Sequence, residues 1–486
     1  MTRAGDIQDI ALRGEAPAAS ENPWEVIAGL RTEISAKDEI IKRLLARMAE
    51  LERQLGLNSS NSGKPPSSDG LKKPPRTTSL REPSGRKPGG QKGHPGTTLC
   101  QVENPDTTIN HLPDACPNCG AALGMADSVG HQARQVFDLP DPQPLQVTEH
   151  RAHECLCAQC GASARGEFPE AVTGPVQYGP NVVATVAYLS AEQYIPEDRI
   201  SRLLHDVHRI DISTASIGAM LHRKAAELAG FADTVGHAVR AAAVKHGDET
   251  GLRVGGALRW LQVAATTLLT FYLVTMKRGE IITDMAGVLV HDHFGPYFSL
   301  EGVLHALCNA HHLRELKALI EIEKEQWAKE MARLLRLACH ATNQARGSPV
   351  RASFVAVFTA RYRRIIADGL AFHQAQPPLD PPGKRKRGRP KRRPGHNLVI
   401  RLRDHEEAVL RFLNDPTVPF TNNIAEQGGR MMKVKMKISG CFRTMMGAQA
   451  FSILRGTADT ARKQGWNVLD TFRTPSSALI ARLKTA

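Results

Sequence analysis

The sequence contains no long hydrophobic run. Its most apolar stretch, from Trp260 to Met276, is interrupted by Gln262 and several threonines, whereas a membrane-spanning helix needs about 20 consecutive apolar residues. A pair of β-strands fits this stretch better. The N-terminal region mixes charges and has no apolar core, so we expect neither a signal peptide nor a membrane partner.

Acidic residues are in deficit. The 486-residue chain has 49 Asp and Glu against 63 Lys and Arg, which gives a net charge of +14. This excess predicts a polyanionic partner, because Lys and Arg that neutralise phosphates supply most of the non-specific affinity for nucleic acids. A solvated basic surface without a partner is the alternative.

Disulfides are not expected either. The nine cysteines are an odd number in a chain without an export signal, which indicates reduced thiols and a cytoplasmic protein. Four of them form two Cys-x-x-Cys knuckles, Cys116 with Cys119 and Cys157 with Cys160. Each knuckle is followed by a glycine that lets the backbone turn toward the thiolates. Together they predict a structural Zn²⁺ site, with a redox pair or uncoordinated thiols as the alternatives.

The spacing of the two knuckles is unusual. The 37 residues between them exceed the common spacing of about 15 to 20, and a strand pair over 134–139 and 146–153 is predicted to fill the gap. Cys155 beside the second knuckle is an alternative ligand.

A β-rich pattern occupies residues 243–307. Residues 243–246 predict a strand that ends at Asp248, and 258–263 and 269–274 predict two more. A short helix over 278–286 is followed by buried strands over 287–291 and 303–307. This order predicts a ribonuclease-H-like sheet in which the first and fourth strands lie side by side.

Three acidic residues stand where such a sheet would hold metal ions. Asp248 follows the first strand, Asp292 follows the fourth, and Glu426 lies in a predicted helix that Asn423 caps. Mg²⁺ or Mn²⁺ prefers carboxylates and phosphate oxygens, and two such ions can clamp the oxygens of a phosphodiester. Glu249 is the second choice as a ligand, since it should point to the opposite face. Ordinary strand-ending aspartates are the alternative.

Positive charge is concentrated in two places. Residues 383–394 contain eight basic residues in twelve, and their Gly-Arg-Pro centre suits an arm in an A·T-rich minor groove; a solvated loop is the alternative. Further cations follow Glu426. The predicted DNA-binding residues are Lys384, Arg385, Lys386, Arg387, Arg389, Arg430, Lys433 and Lys435.

The N-terminal part shows a heptad pattern. Mostly apolar residues alternate at spacings of four and three, at Leu30, Ile34, Lys37, Ile41, Leu44, Met48, Leu51 and Leu55. They predict a short coiled coil and a homo-oligomer; an amphipathic helix packed on its own domain is the alternative. Further along the chain, Glu197 to Arg209 and a helix capped by Ser213 predict a helix-turn-helix or a plain helical hairpin.

Several longer motifs resemble one known family. These are His-Gly-Asp-Glu-Thr-Gly-Leu-Arg-Val (246–254), Val-His-Asp-His (290–293), Leu-Cys-Asn-Ala-His-His-Leu-Arg-Glu-Leu (307–316), Val-Pro-Phe-Thr-Asn-Asn-Ile-Ala-Glu (418–426) and Lys-Ile-Ser-Gly-Cys-Phe-Arg-Thr (437–444). The chain resembles the insertion-sequence sixty-six family of bacterial transposases over residues 30–472. The resemblance implies an Asp-Asp-Glu triad at Asp248, Asp292 and Glu426, a zinc finger that binds transposon ends, a leucine-zipper-like segment and accessory proteins of the same element.

The chain departs from the family pattern in two places. Gln427-Gly428-Gly429 replaces an Arg followed by a polar-apolar pair, and Gln262 stands where His is common. The two glycines would weaken the helix that carries Glu426, each by about 1 kcal/mol relative to Ala. They favour an alternative function, a catalytically impaired relative that acts as an end-binding subunit or repressor. A plain nuclease that cuts without joining is a second alternative.

The sequence therefore predicts a multidomain α+β transposase, cytoplasmic and associated with the nucleoid. The predicted segments are a disordered N-terminus (1–29), a coiled coil (30–57), a basic Pro/Gly/Ser linker (58–98), a zinc-finger domain (99–170), a helical DNA-binding segment (171–240), a ribonuclease-H-like catalytic domain (241–472) with a helical insertion (about 317–415), and a C-terminal tail (473–486).

Overall fold

A computed structural model describes residues 22–58, 60–62, 99–139, 145–376, 379 and 392–485. These residues form an α+β protein. The helices are α1 (Pro23–Gly56), α2 (Pro180–Ala187), α3 (Glu197–His208), α4 (Thr214–Ala241), α5 (Asn309–Ala318), α6 (Gln326–Ala345), α7 (Ala352–Gln374), α8 (Pro394–Asp404), α9 (Glu406–Asn414), α10 (Asn423–Ser439), α11 (Met445–Lys463), α12 (Val468–Arg473) and α13 (Ser476–Ala481). The strands are β1 (Glu154–Leu156), β2 (Ser163–Arg165), β3 (Val244–Val254), β4 (Ala257–Ala265), β5 (Thr270–Thr275), β6 (Gly287–His291) and β7 (Val303–Leu307).

Five of the strands form one sheet, in the order β5-β4-β3-β6-β7. The first and fourth strands of this set, β3 and β6, are neighbours, as the sequence predicted. β6 and β7 also have the predicted bounds, because short apolar runs between turn residues mark buried strands clearly. β3, β4 and β5 form an antiparallel meander.

Two local predictions were wrong. β3 does not end at Asp248 but continues to Val254, because its pairing with β4 runs on to Ala257. Residues 278–286 form no helix. Glu280 instead accepts hydrogen bonds from the backbone N–H of Met276 and of residue 277, and Asp284 adopts a left-handed φ of 59°, which a right-handed helix cannot include.

The register of the meander brings three side chains into one row. Asp248 lies opposite Val263, and Val263 lies opposite Tyr272, so all three point to the same face of the sheet. On this face α10 and α11 contribute Ala425, Met432 and Phe451 to a shared core with β3, β4 and β5. A second core, with Phe231 and Leu289 among its members, includes residues of α4, α11 and α12.

By its internal contacts the chain divides into two compact units. One contains α1, residues 290–293 and residues 305–422, and it is mainly helical. Buried Trp327 and Tyr362 lie in its core, and the Tyr362 hydroxyl donates to the Leu402 carbonyl at 2.8 Å. The other unit contains β1 to β5, residues 294–304 and everything from Asn423 onward.

Helix α1 is continuous over 34 residues. Asn22 caps it by accepting from the Trp24 N–H, and Asn61 donates to Gly56 O at its C-terminal end. The predicted heptad residues stay exposed along it, with Ile34 at 58% and Leu44 at 59%. Self-association through this helix remains a prediction.

Some predictions fall on residues that the structure does not describe. The greater part of the basic linker (63–98) lies outside the described residues. So do five predicted DNA contacts of the basic arm, Lys384, Arg385, Lys386, Arg387 and Arg389. Among the helices in the described ranges, none has an apolar stretch of the length needed to cross a bilayer.

Candidate functional site

Helix α10 lies against the sheet face that carries Asp248. A Cβ built on Gly429 would lie 3.1 Å from Asp248 Oδ2, so the helix backbone touches the carboxylate. Glu426 is three residues before Gly429 and therefore lies on the same side of α10. Its side chain is 12% exposed, and its Oε2 accepts from Arg430 Nη2 at 2.8 Å. The approach of Gly429 to Asp248 and the helical spacing of Glu426 are therefore the two observations that relate the first and third predicted acids.

Close packing explains why glycine stands at positions 428 and 429, where the chain departs from the family pattern. A Cβ on Gly428 would lie 3.0 Å from Tyr272 Oη and 3.1 Å from Val263 Cγ1. Contacts this short force neighbouring atoms to move. The absence of side chains at Gly428 and Gly429 therefore allows α10 to approach the row of Asp248, Val263 and Tyr272. The lower helix propensity of glycine accompanies this close approach. The sequence alone could not show this, because the partners are more than 150 residues away.

Asp292 directly follows β6, the neighbour of β3 in the sheet. Histidine rings flank it along the chain. His291 is fully buried, its Nε2 lies 3.3 Å from His305 Nδ1, and burial lowers its pKa to about 3. Burial also lowers the pKa of His293 to about 4, and this ring packs edge-on against His405. Both rings are therefore neutral at physiological pH.

Glu249 does not share the environment of Asp248. Its side chain is 1% exposed, and Oε1 accepts two hydrogen bonds from Arg278, from Nε at 3.0 Å and from Nη2 at 2.6 Å. Its Oε2 accepts from the Tyr297 hydroxyl at 3.3 Å. The Arg278 guanidinium also lies 4.3 Å from the centre of the Phe294 ring. These contacts favour a structural role for Glu249 over the second-choice role of metal ligand.

The three predicted cations of α10 differ in exposure. Arg430 is 69% exposed beside Glu426. Lys433 Nζ donates to Gly251 O at 3.1 Å, and burial lowers its pKa. Lys435 is buried: Nζ donates to Gly440 O at 3.0 Å and lies 3.8 Å from the Phe442 ring centre, and burial lowers its pKa to about 8. These contacts favour a structural role for Lys435, and its predicted DNA contact stays a prediction.

Each cysteine knuckle has the same backbone geometry. Cys116 N–H donates to Ala121 O and Cys157 N–H donates to Ala162 O, both at 2.8 Å. The glycines that follow, Gly120 and Gly161, have φ of 73° and 70°, which favours glycine. Hydrogen bonds from the backbone of Asn118 and Cys119 lower the pKa of Cys116. Those of Cys160 and Gln159 do the same for Cys157. Such thiolates are suited to zinc.

The segment between the knuckles was predicted wrongly. Residues 134–139 and 146–153 form no strand pair. Gln135 instead exchanges side-chain hydrogen bonds with the backbone of Val102, at 2.8 and 2.7 Å. Cys155 lies in β1, exposed and opposite Ala164. Within the described residues, no three sulfur atoms of the two knuckles lie within 4.8 Å of one another.

Comparison with known families agrees with this organisation. The sequence profile of the transposase IS66 family matches residues 175–450, which is more than half of the chain. That of the zinc-finger binding domain of transposase IS66 matches residues 113–161, which supports a structural zinc. Residues 11–99 match a family of unknown function. A search of curated proteins found no match. The chain therefore belongs to the IS66 family of transposases.

Proposed function

We propose that the chain catalyses metal-dependent DNA cleavage and strand transfer at the ends of a bacterial insertion sequence. Hydrolysis at a transposon end would free a 3′ hydroxyl, which then attacks a target phosphodiester in line. The observation that carries the proposal is the contact of α10 with Asp248 through Gly429, because it puts Glu426 on the helix side that faces the carboxylate.

Asp248, Asp292 and Glu426 are the proposed ligands of Mg²⁺ or Mn²⁺. Three carboxylates make a donor set that suits these hard cations. Such ions would stabilise the charge that develops on the attacking and leaving oxygens. The strand order, in which β3 neighbours β6, supports a ribonuclease-H-like core in which the strands that carry or precede the two aspartates are adjacent.

DNA binding is proposed to involve several segments. The zinc finger would bind transposon ends, and the exposed Arg430 would contact phosphate near the site. The basic arm from Lys384 to Arg393 would follow the backbone or enter a minor groove. Ser213 accepts from the Ser216 N–H at 3.0 Å and caps α4, as the helix-turn-helix hypothesis requires, although a plain helical hairpin would have the same cap.

Self-association is proposed to occur through α1. Its heptad positions present apolar side chains that are about half exposed, and a second copy of the helix would cover them. Strand transfer by the purified chain alone would show whether accessory proteins of the element are required.

The decisive experiment is strand transfer with pre-cut transposon ends, with and without Mg²⁺ or Mn²⁺. Joined products that require the metal and the three carboxylates support the proposal. Cleavage without joining would indicate a plain nuclease. End binding without either reaction would indicate the impaired, end-binding relative.

A further inference from the structure

Tyr272 connects the helix that carries Glu426 to the next helix of the same unit. Its side chain is buried, and its Oη lies 2.5 Å from Asp459 Oδ2 on α11 and 3.3 Å from Gly428 O on α10. Gly428 is two residues after Glu426. The phenol of Tyr272 therefore joins β5, α10 and α11 at one buried point.

Asp459 is itself held in place by an ion-pair network. Arg455 donates to Asp459 Oδ1 at 2.5 Å and to Glu192 Oε2 at 2.5 Å. The side chains of all three are at most 16% exposed, and Arg462 also pairs with Glu192. Because Arg455 is bound to the other oxygen, Oδ2 of Asp459 accepts the Tyr272 hydrogen bond from a fixed position.

Helix α11 is fixed to β5 independently of this network. Thr460 Oγ1 accepts from the Thr270 N–H at 3.1 Å, and Lys463 Nζ donates to the carbonyls of Thr266 and Leu269 at 2.7 and 2.9 Å. A Cβ on Gly456 would lie only 3.4 Å from Thr270 O. Asp459 therefore belongs to a rigid part of the unit, against which α10 can be positioned.

Helix α10 packs Ala425 and Met432 in the shared core, but at Gly428 and Gly429 it approaches the sheet through its backbone. Gly429 touches the Asp248 carboxylate, and Gly428 touches Val263 and Tyr272. At these two positions no side chain interlocks with the sheet to fix the position of the helix. The Tyr272 hydroxyl supplies a fixed contact at this place, because it donates its single proton to Asp459 Oδ2 and its oxygen lies 3.3 Å from Gly428 O.

We propose that Tyr272 is a positioning residue for the reaction: with Asp459 it fixes where α10 lies over the sheet, and thereby where Glu426 stands relative to Asp248. This inference rests on the proposed function, because it takes Glu426 as a metal ligand. Groups that orient metal ligands are worth about 10- to 100-fold in metal affinity or activity, and a displacement of about 1 Å can cost about 100-fold in rate.

The test is Tyr272→Phe in the full-length protein, which removes one hydroxyl and keeps the ring. Strand transfer of pre-cut ends should slow by about 10- to 100-fold, and the Mg²⁺ concentration that gives half the maximal rate should rise. End-binding affinity should not change. Asp459→Asn should reproduce the effect more weakly, because an amide oxygen still accepts the phenol hydrogen bond.

Tyr362→Phe is the matched control. Tyr362 is also a buried tyrosine whose hydroxyl donates to a backbone carbonyl, but it lies in the other unit. Loss of the Tyr362 hydroxyl should lower the thermal midpoint without changing the strand-transfer rate or the Mg²⁺ requirement. Equal changes of rate and Mg²⁺ requirement in both variants would overturn the inference, because they would show a general loss of stability.

A double mutant tests the geometry directly. Gly428→Ala places a methyl group against Tyr272 Oη and should slow the reaction by pushing α10 outward. Tyr272→Phe removes the oxygen that this methyl group would meet, so the double variant should be less impaired than the product of the two single effects. Fully independent effects of the two substitutions would contradict a shared contact.

Glu426→Gln, measured in the same assay, distinguishes failure of the positioning role of Tyr272 from failure of the proposed function. If it is inactive while Tyr272→Phe keeps the wild-type rate and Mg²⁺ requirement, the positioning role fails and the proposed function stands. If Glu426→Gln turns over normally, Glu426 is not a ligand and both fail.

Discussion

Glu249 and Arg278 form an ion pair on the side of β3 opposite to Asp248. Two neighbouring acids of one strand thus differ in their surroundings: the first faces α10, and the second is covered by Arg278 and Tyr297. The alternation of side chains along a strand explains the difference, and it separates a proposed metal ligand from a structural carboxylate.

The first prediction compares these two acids. Asp248→Asn should abolish cleavage and joining and leave end binding nearly unchanged, as should Asp292→Asn and Glu426→Gln. Glu249→Gln is the control with the same charge change. It should destabilise the protein by about 1.5 to 3 kcal/mol through its bonds to Arg278, yet retain activity with the usual Mg²⁺ requirement. Loss of activity that extra Mg²⁺ restores in Glu249→Gln would make Glu249 a ligand instead.

The second prediction concerns the cations of α10. Arg430→Ala should reduce the slope of log affinity against log salt by about 0.9 if Arg430 contacts one phosphate. Lys435→Ala should leave that slope unchanged and lower the thermal midpoint, because its ammonium is occupied by Gly440 O and the Phe442 ring. Filter binding at several salt concentrations measures both. A reduced slope in Lys435→Ala alone would reverse the assignment.

The third prediction uses pH. Burial lowers the pKa of Lys245 from 10.5 to about 8. Between these values the unfolded chain binds more protons than the folded one, so this residue makes stability rise with pH in that window. The free energy of unfolding of the wild type, minus that of Lys245→Met, should therefore increase as pH rises from about 8 toward 10. Urea titrations across this range would show it, and a constant difference would contradict it.

The fourth prediction concerns zinc. The purified protein should contain about one zinc per chain, because four thiolates complete a tetrahedral structural site. Cys157→Ser should lose the metal and locally unfold the finger, while Cys155→Ser should keep it. Protein prepared without chelator and found free of zinc would contradict the assignment.

The fifth prediction concerns the basic arm. Replacing Lys384, Arg385, Lys386 and Arg387 with Ala should flatten the salt dependence by about 0.9 per lost phosphate contact and weaken binding to all sequences alike. Arg389→Ala should instead reduce a preference for A·T-rich DNA. An unchanged slope in the quadruple variant would mean that the arm is a solvated loop.

Elements defined by local sequence patterns could be predicted, whereas those that depend on contacts between residues far apart in the sequence could not. β6 and β7 were predictable because local apolar runs define them. The end of β3 was not, since Gly247-Asp-Glu-Thr-Gly251 resembles a turn and only pairing with β4 extends the strand. The failed helix after Arg278 has a similar cause, because the contact of Arg278 with Glu249 joins residues 29 positions apart.

The candidate site shows the same division. Strand order and motifs predict Asp248, Asp292 and Glu426 as metal ligands, and this stays a prediction. The role of the two glycines could not be predicted, because helix propensity is a local quantity and their packing partners lie on β3, β4 and β5. Burial of Lys435 was hidden for the same reason: its aromatic partner Phe442 follows the end of the helix, where the sequence shows only a basic stretch.

The close approach of α10 also limits how the sequence can drift. Positions 263, 272 and 428 share a fixed volume, so a larger residue at Gly428 is tolerable only if Val263 or Tyr272 becomes smaller. Relatives that carry a side chain at position 428 should therefore show compensating changes on β4 or β5. Such correlated changes among related transposases would show that selection maintains the distance between α10 and the sheet.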